Sequence, residues 1–299
     1  LAFPSRSPMS GPITSSTRAR LLRPDLELDL LSATHALHAS LLVAFPTETV
    51  YGLGADATSP AALRALYAAK GRPADNPLIL HAHSLAALQR ANVIPNPLPK
   101  HAAALARAFV PGPLTLVLNA HPDSPVSALA TAGLPTVAVR VPSHPVAQAL
   151  LAALENHPRG FIPIAAPSAN TSGRPSPTSA RHVVHDLAGA VHAVIDGGEV
   201  EVGVESTVVD CSGEDEGEVV ILRPGAVTAE MIRARTGLAC VDFVSSSSSP
   251  SATKSGEQNG NGAPKAPGMK YRHYAPSATL EILPAPAEIA AAVLAALAR

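Results

Sequence analysis

The sequence predicts an α/β domain with a twisted mixed β-sheet flanked by helices, followed by a linker and a fragment of a second α/β domain. Three observations carry this expectation. Strand-like and helix-like segments alternate along most of the chain, with occasional neighbouring strands, which is the pattern of a mixed sheet covered by helices. The chain has 299 residues, 46% of them hydrophobic, enough for one large domain plus an appendage. A polar stretch rich in Ser, Gly, Asn and Pro then interrupts the pattern at 245–268.

Residues 1–28 read as a disordered or targeting tail. They hold four arginines and many serines, with no acid before Asp25, a composition that fits a mitochondrial presequence as well as a solvated tail. The chain opens on Leu1, so a preceding stretch is expected. The catalytic-domain candidate spans 29–244. In it "DLLSATHALHA" reads as a helix and "SLLVAFP" as a buried strand. "SPAALRALYAAK" is a helix with Ser59 as N-cap and Pro60 at its first position. "PLILH" is a strand, "SLAALQRA" and "PKHAAALARAF" are helices, and "LTLVLN" and "TVAVRVP" are strands. "HPVAQALLAALEN" is a helix, "FIPIAAP" a strand, "SPTSARHVVHDLA" a helix and "VHAVIDGG" a strand. "STVVDCS" and "EVVILRPG" read as late strands before the helix "TAEMIRART". A linker with the motif "YRHYAP" fills 245–276, and 277–299 reads as the start of a second domain, too short to stand alone.

Composition excludes several classes. The net charge is -1, so no basic field advertises nucleic-acid binding, and any RNA contact is expected to be weak and local. Aromatics make up 3% and tryptophan is absent, which leaves few stacking platforms for bases. Cys211 and Cys240 form no C-x-x-C, against a disulfide framework or a cysteine zinc site. No apolar run reaches the ~18 residues of a membrane span, so no membrane partner is expected and the default location is cytoplasmic, with mitochondrial import as the alternative.

Phosphate-binding signatures mostly fail. There is no Walker loop. "GLGADA" fits a G-x-G-x-x-A fingerprint, but "PTETVY" separates it from the preceding strand and the next helix starts only near Pro60. The G-x-S-x-G elbow is absent as well. The pairs His81/His83 and His182/His185 lack a nearby acid or cysteine and read as surface or structural histidines, leaving any metal ligands unknown. Four polar loops stand out instead: "FPTETVYG", "KGRPADNPLILH", "APSANTSGRPSPT" and "GVESTVVD". Each lies at an element end, where ligands bind in open α/β sheets. Singly, each fits ordinary turn chemistry. Together they supply the cations Lys70, Arg72, Arg140 and Arg223 and the neutral groups Thr49, Ser168, Asn170 and Ser206. That set suits a triphosphate plus a small amino acid. It contains no obvious nucleophile–base pair, so catalysis by positioning and charge neutralisation is expected.

At these residues the chain resembles the YrdC-type L-threonylcarbamoyladenylate synthases, from about Leu41 to Gly237, through "FPTETVYGLGADA", "YAAKGRPADNPLILH", "PGPLTLVL", "TVAVRVPSHP", "PIAAPSANTSGRPSPT", "IDGG", "GVESTVVD" and "ILRPG". "APGMKYRHYAP" resembles the linker of the two-domain form, whose C-terminal domain would here be truncated. The resemblance implies a YrdC-like domain that condenses L-threonine, bicarbonate and ATP into threonylcarbamoyl-AMP with release of pyrophosphate. A separate threonylcarbamoyl-transferase complex would use that product on tRNA, at the adenosine beside the anticodon. The resemblance assigns Lys70, Arg72, Asn76, Thr136, Ser168, Asn170, Thr178, Arg223 and Tyr274 to ATP, with Lys70 and Arg72 as the catalytic cations, and Thr49, His81, Arg140 and Ser206 to threonine. Mg²⁺ is expected to accompany ATP. A hydrogenase-maturation type carbamoyl-adenylate enzyme and a non-catalytic RNA-binding module are the alternatives.

Overall fold

The structure, a computed structural model, describes residues 19–242 except 24, 26, 188 and 214–217. The linker, Tyr274 and the 277–299 fragment therefore lie outside the described residues. In chain order the elements are β1 (Arg20–Leu22), α1 (Glu27–His38), β2 (Val43–Pro46), β3 (Tyr51–Asp56), α2 (Pro60–Lys70), β4 (Ile79–His81), α3 (Leu85–Arg90), α4 (Lys100–Phe109), β5 (Leu114–Asn119) and α5 (Ala128–Thr131). They continue with β6 (Thr136–Arg140), α6 (Pro145–Glu155), β7 (Ile164–Ala165), α7 (Ala180–Leu187), β8 (Ala193–Ile195), β9 (Thr207–Asp210), β10 (Glu218–Arg223), α8 (Ala229–Thr236) and β11 (Ala239–Asp242). The strands form one 11-stranded sheet in the order β1-β8-β2-β3-β7-β4-β6-β5-β9-β10-β11. Parallel pairs (β4 with β6, β5 with β9) alternate with antiparallel ones (β3 with β7, β5 with β6), so the sheet is mixed as expected.

Several boundaries differ from the sequence expectation. Part of the expected tail is structured: β1 adds a parallel edge strand to β8, and Leu22 enters the core at 2% exposure. A three-residue strand has no periodicity to read, and only pairing with β8 orders it. "YGLGAD" is a strand rather than a loop, which removes any phosphate-loop role for its glycines. A Cβ at Gly54 would lie 3.0 Å from the Phe45 ring and 3.2 Å from Ile164, so glycine serves close packing on the sheet. "FIPIAAP" keeps only two strand residues, β7. Helix α7 starts at Ala180 rather than Ser176, because Pro175 and Pro177 hold the preceding segment extended.

The two faces of the sheet are covered unequally, and this creates the site. One face carries the main core, in which Leu63 and Leu66 of α2, Leu105 of α4 and Ile232 of α8 pack on strand residues such as Leu80, Leu116 and Val139. The other face is covered by α1 and α6 only over the β8-β2-β7 half, with Leu37, Leu150 and Leu154 against Phe45, Ile164 and Ile195. Over the remaining half, the apolar cluster consists of Ile79, Val117, Ala138, Val208 and Leu222, all on strands. That small strand-only floor, with no helix contributing to it among the described residues, is where the polar side chains gather.

Candidate active site

Alternation along a strand places residues two apart on the same face. His81 and Arg140 therefore share the face of Ile79 and Ala138, and the parallel register of β4 and β6 sets them opposite each other. His81 is buried, and its Nδ1 meets the Ile79 carbonyl at 3.1 Å. A carbonyl only accepts, so Nδ1 carries the proton and Nε2 offers a lone pair. Burial, and then the Arg140 charge, lowers the His81 pKa to about 3, so the ring stays neutral.

Arg140 is not a free clamp. It donates Nε–H to the Gly112 carbonyl (3.4 Å), and its Nη2 meets Glu48 Oε1 at 2.8 Å, with both side chains buried. Glu48 Oε2 also accepts the Ser143 N–H at 3.2 Å, and the Glu48 carbonyl accepts from Val202 N–H at 3.0 Å. Beside them the Ser206 hydroxyl meets Thr115 Oγ1 at 2.8 Å and accepts from Arg223 at 3.2 Å, while Arg223 also donates to the Ser206 carbonyl at 2.8 Å. Burial lowers the Arg223 pKa to about 10; Glu205 opposes that shift, while Arg140 and Arg72 add to it. The loop carrying Ser206 is held by a backbone approach: a Cβ at Gly225 would lie 2.4 Å from the Glu205 carbonyl and 2.6 Å from the Thr207 nitrogen. Thr49 is fully buried inside its turn, with its hydroxyl 2.9 Å from that of Thr47. Thr47 gives its own proton to the Val50 carbonyl (2.7 Å), so Thr49 donates to Thr47 and keeps its lone pairs.

The other end of the site begins where α2 stops. Gly71 takes the left-handed conformation (φ 60), and its N–H and that of Arg72 close the helix on Ala68 and Tyr67. The Lys70 ammonium turns inward, 2% exposed, and binds the carbonyls of Ser168 and, at 2.6 Å, Asn170. Burial, then the Arg72 charge, lowers its pKa to about 7. Lys70 is thus spent on the loop that carries Ser168 and Asn170. Arg72 braces its own loop through the carbonyls of Asn76 (3.3 Å) and Pro77 (3.1 Å). Asn170 donates to the carbonyls of Thr171 and Arg174 at 2.9 and 2.8 Å. The Oδ1 atoms of Asn76 and Asn170 are buried without a hydrogen-bond partner among the described residues. Both are acceptors left for a ligand's N–H or O–H groups.

Thr136 belongs to this end. Continuing the Ile79–Ala138 register two residues back sets it beside Pro77. Thr136 and Arg140 then mark the two ends of β6, about 13 Å apart at the usual strand rise. Thr178 lies to one side, its hydroxyl 3.4 Å from His182, in a cleft of about 470 Å³ shared with Arg174, Ser176 and Asp186. Ser176 links that cleft to the Ser206 loop through Glu205 at 2.7 Å.

The structure therefore gathers Lys70, Arg72, Asn76, Ser168, Asn170 and Thr136 at one end and His81, Arg140, Ser206 and Arg223 at the other, with Thr178 peripheral. Sequence reasoning missed Glu48, Thr115 and Glu205. Glu48 stands inside the "FPTETVYG" motif, but its role depends on a contact 92 residues away with Arg140, which no local pattern announces. The metal question was left open by the sequence; among the described residues no group of three or more His, Cys, Asp or Glu could hold an ion. His185 instead meets Asp186 at 3.0 Å, and His182 meets Thr178.

The family model described as telomere recombination, named for Sua5, YciO and YrdC, matches residues 35–225. The chain belongs to the Sua5/YciO/YrdC family. A second model, the C-terminal domain of threonylcarbamoyl-AMP synthase, matches 227–298, a range that takes in α8 and β11 as well as the linker. Among Sua5/YciO/YrdC relatives, the threonylcarbamoyl-AMP synthase of Bacillus subtilis is 46% identical over 253 residues, covering 85% of this chain and 66% of that protein. The threonylcarbamoyl-AMP synthase of Pyrococcus abyssi is 47% identical over 246 residues, covering 82% and 65%. The chain thus spans just under two thirds of the length of these relatives. The crystal structure of P. abyssi Sua5 complexed with L-threonine is similar at a TM-score of 0.72 and 45% identity, over 88% of this chain and 70% of that one. Among the described residues no helix is long and apolar enough to cross a membrane.

Proposed function

We propose that this chain makes threonylcarbamoyl-AMP from L-threonine, bicarbonate and ATP, releasing pyrophosphate, and that a separate threonylcarbamoyl-transferase complex uses the product to modify tRNA beside the anticodon. The observation that carries this reading is the His81–Arg140 register: a neutral imidazole acceptor next to a guanidinium, about one strand length from two unpartnered carboxamide oxygens. The first end fits an amino acid and the second fits a nucleoside.

In this reading the Arg140 guanidinium takes the threonine carboxylate, as its geometry favours. His81 Nε2, Thr49 and Ser206 take the amine and hydroxyl. The amine loses a proton and attacks bicarbonate; water leaves, and an N-carboxylate forms on threonine. A carbamate oxygen then attacks the α-phosphorus of ATP, and the bond to the β-phosphate oxygen breaks, so that pyrophosphate departs with that electron pair. Arg72 and Arg223 offset the charge that grows on the phosphates. Lys70 contributes by holding the Ser168–Asn170 loop to α2. Thr136, Thr178 and Tyr274 complete the nucleotide side, Tyr274 by closing over it from the linker. Mg²⁺ enters with ATP as part of the substrate and supplies charge neutralisation there; the donor set of this site offers it no protein cage. The reaction is assigned to the cytoplasm, with the Arg/Ser-rich start of the chain as the feature that would redirect it to mitochondria.

The test is pyrophosphate release from ATP in the presence of bicarbonate, with and without L-threonine. Threonine-dependent release supports the reading, and release indifferent to threonine overturns it. Turnover-free RNA affinity that falls steeply with salt would favour an RNA-binding module instead.

A further inference from the structure

We propose that Glu48 is the residue that positions Arg140 and filters charge at the amino-acid end, so that this end accepts a net-neutral zwitterion and rejects phosphate. The inference rests on the reading of that end as an amino-acid site. The site otherwise faces an unusual problem. Lys70, Arg72, Arg140 and Arg223 share one electrostatic neighbourhood, since Arg72 acts on Lys70 and both Arg72 and Arg140 act on Arg223. A triphosphate and its pyrophosphate product would be drawn to every exposed cation in that field. An amino acid that is neutral overall would lose the competition at Arg140 unless something discriminated.

Glu48 is placed to do this. Its Oε1 stands 2.8 Å from Arg140 Nη2, with side-chain exposures of 8% and 5%. The two atoms meet off the line of a directed hydrogen bond, so the contact works chiefly as charge against charge. Gly112 holds Nε from another side. Nη1 is then the group of the fork with no hydrogen-bond partner among the described residues. The guanidinium is thus oriented and largely cancelled in charge, with donors remaining for one carboxylate oxygen. Glu48 itself is fixed by Ser143 N–H on its second oxygen and by Val202 N–H on its carbonyl. It ties the β2–β3 turn, the end of β6, the start of α6 and the Ser206 loop to one point. A dianion at this point meets the Glu48 charge; a zwitterion brings its own ammonium to balance it.

The test compares the wild type with Glu48→Gln, which keeps an acceptor for Ser143 N–H, and with Glu48→Asp, which keeps the charge. Inorganic phosphate is the probe. In Glu48→Gln the KM for L-threonine is expected to rise about tenfold, with the KM for ATP within about twofold, a difference of roughly 1.4 kcal/mol at one site only. Phosphate is expected to become a competitive inhibitor against threonine, about tenfold tighter than in the wild type, and Glu48→Asp is expected to restore part of both. A purely structural role would weaken threonine use without creating phosphate affinity, and that result overturns the proposal. Phosphate binding measured by calorimetry needs no turnover. Tighter phosphate binding by Glu48→Gln without threonine-dependent turnover in the wild type would support the charge filter and overturn the functional reading; unchanged phosphate binding beside normal threonine-dependent turnover would overturn the filter alone.

Discussion

Lys70 reaches across 100 residues of chain to hold the Asn170 carbonyl at 2.6 Å, and binds the Ser168 carbonyl beside it. This contact joins the end of α2 to the loop after β7. Burial and Arg72 bring the Lys70 pKa to about 7, and even the neutral amine keeps two protons, enough for two carbonyls. Replacing Lys70 by Met leaves both carbonyls buried and unpaired. A loss of roughly 2–4 kcal/mol in stability is expected, from the cost of unmade buried hydrogen bonds. Nucleotide affinity should fall about tenfold or more while the KM for threonine changes less. Denaturant melts and titration with a non-hydrolysable ATP analogue measure the two effects.

Arg72 and Arg140 divide the site. Arg72 sits beside Asn76 and Pro77, and Arg140 sits opposite His81. Arg72→Ala should mainly raise the KM for ATP, and Arg140→Ala mainly that for threonine, each by about tenfold or more, the scale of a lost charged hydrogen bond. Steady-state kinetics with each substrate varied separately checks this; equal effects on both substrates in both variants would remove the division.

His81 makes acid stability a readout of the site. Its folded pKa of about 3 lies below the unfolded 6.5, so between those values the unfolded chain binds the extra proton. The contribution to stability is complete above the unfolded value and is lost as pH falls through the window between the two. The slope reaches about 1.4 kcal/mol per pH unit for one proton. Denaturant melts taken from about pH 7 to about pH 4 should show a shallower acid loss in a His81→Asn variant than in the wild type. Identical slopes would mean that His81 is not held neutral.

Gly225 offers a test of the Ser206 loop. A Cβ there meets the backbone of Glu205, Ser206 and Thr207 at 2.4–2.6 Å, and backbone cannot swing aside as a side-chain tip can. Gly225→Ala is expected to cost about 1–3 kcal/mol and to shift Ser206 away from Thr115 and Arg223. Thermal melts give the first effect, and a raised KM for threonine the second.

How much of the site was legible in the sequence follows from how far each contact reaches. The cap of α2 was readable because Ser59 and Pro60 act within one turn: Ser59 Oγ accepts from Ala62 N–H at 3.3 Å. The four polar loops were readable as element ends, and the resemblance named the residues that line this face. The neutral state of His81 was not readable, since it comes from burial and from an Arg140 on another strand. The Glu48 pairing was not readable either. The glycines of "GLGADA" obscured a strand, because their reason is the Phe45 ring on the neighbouring strand.

The sequence alone determined the alternation of strands and helices, the capped end of α2 at Lys70 and Gly71, and the set of cations and small polar groups at strand ends, because these depend on neighbours a few residues apart. Only the tertiary structure decided which half of the sheet lacks a helix, that Arg140 is paired with Glu48, and that Lys70 serves a loop rather than open solvent. Each of these arises from strand order and burial, which bring together groups about a hundred residues apart and change their charge and orientation.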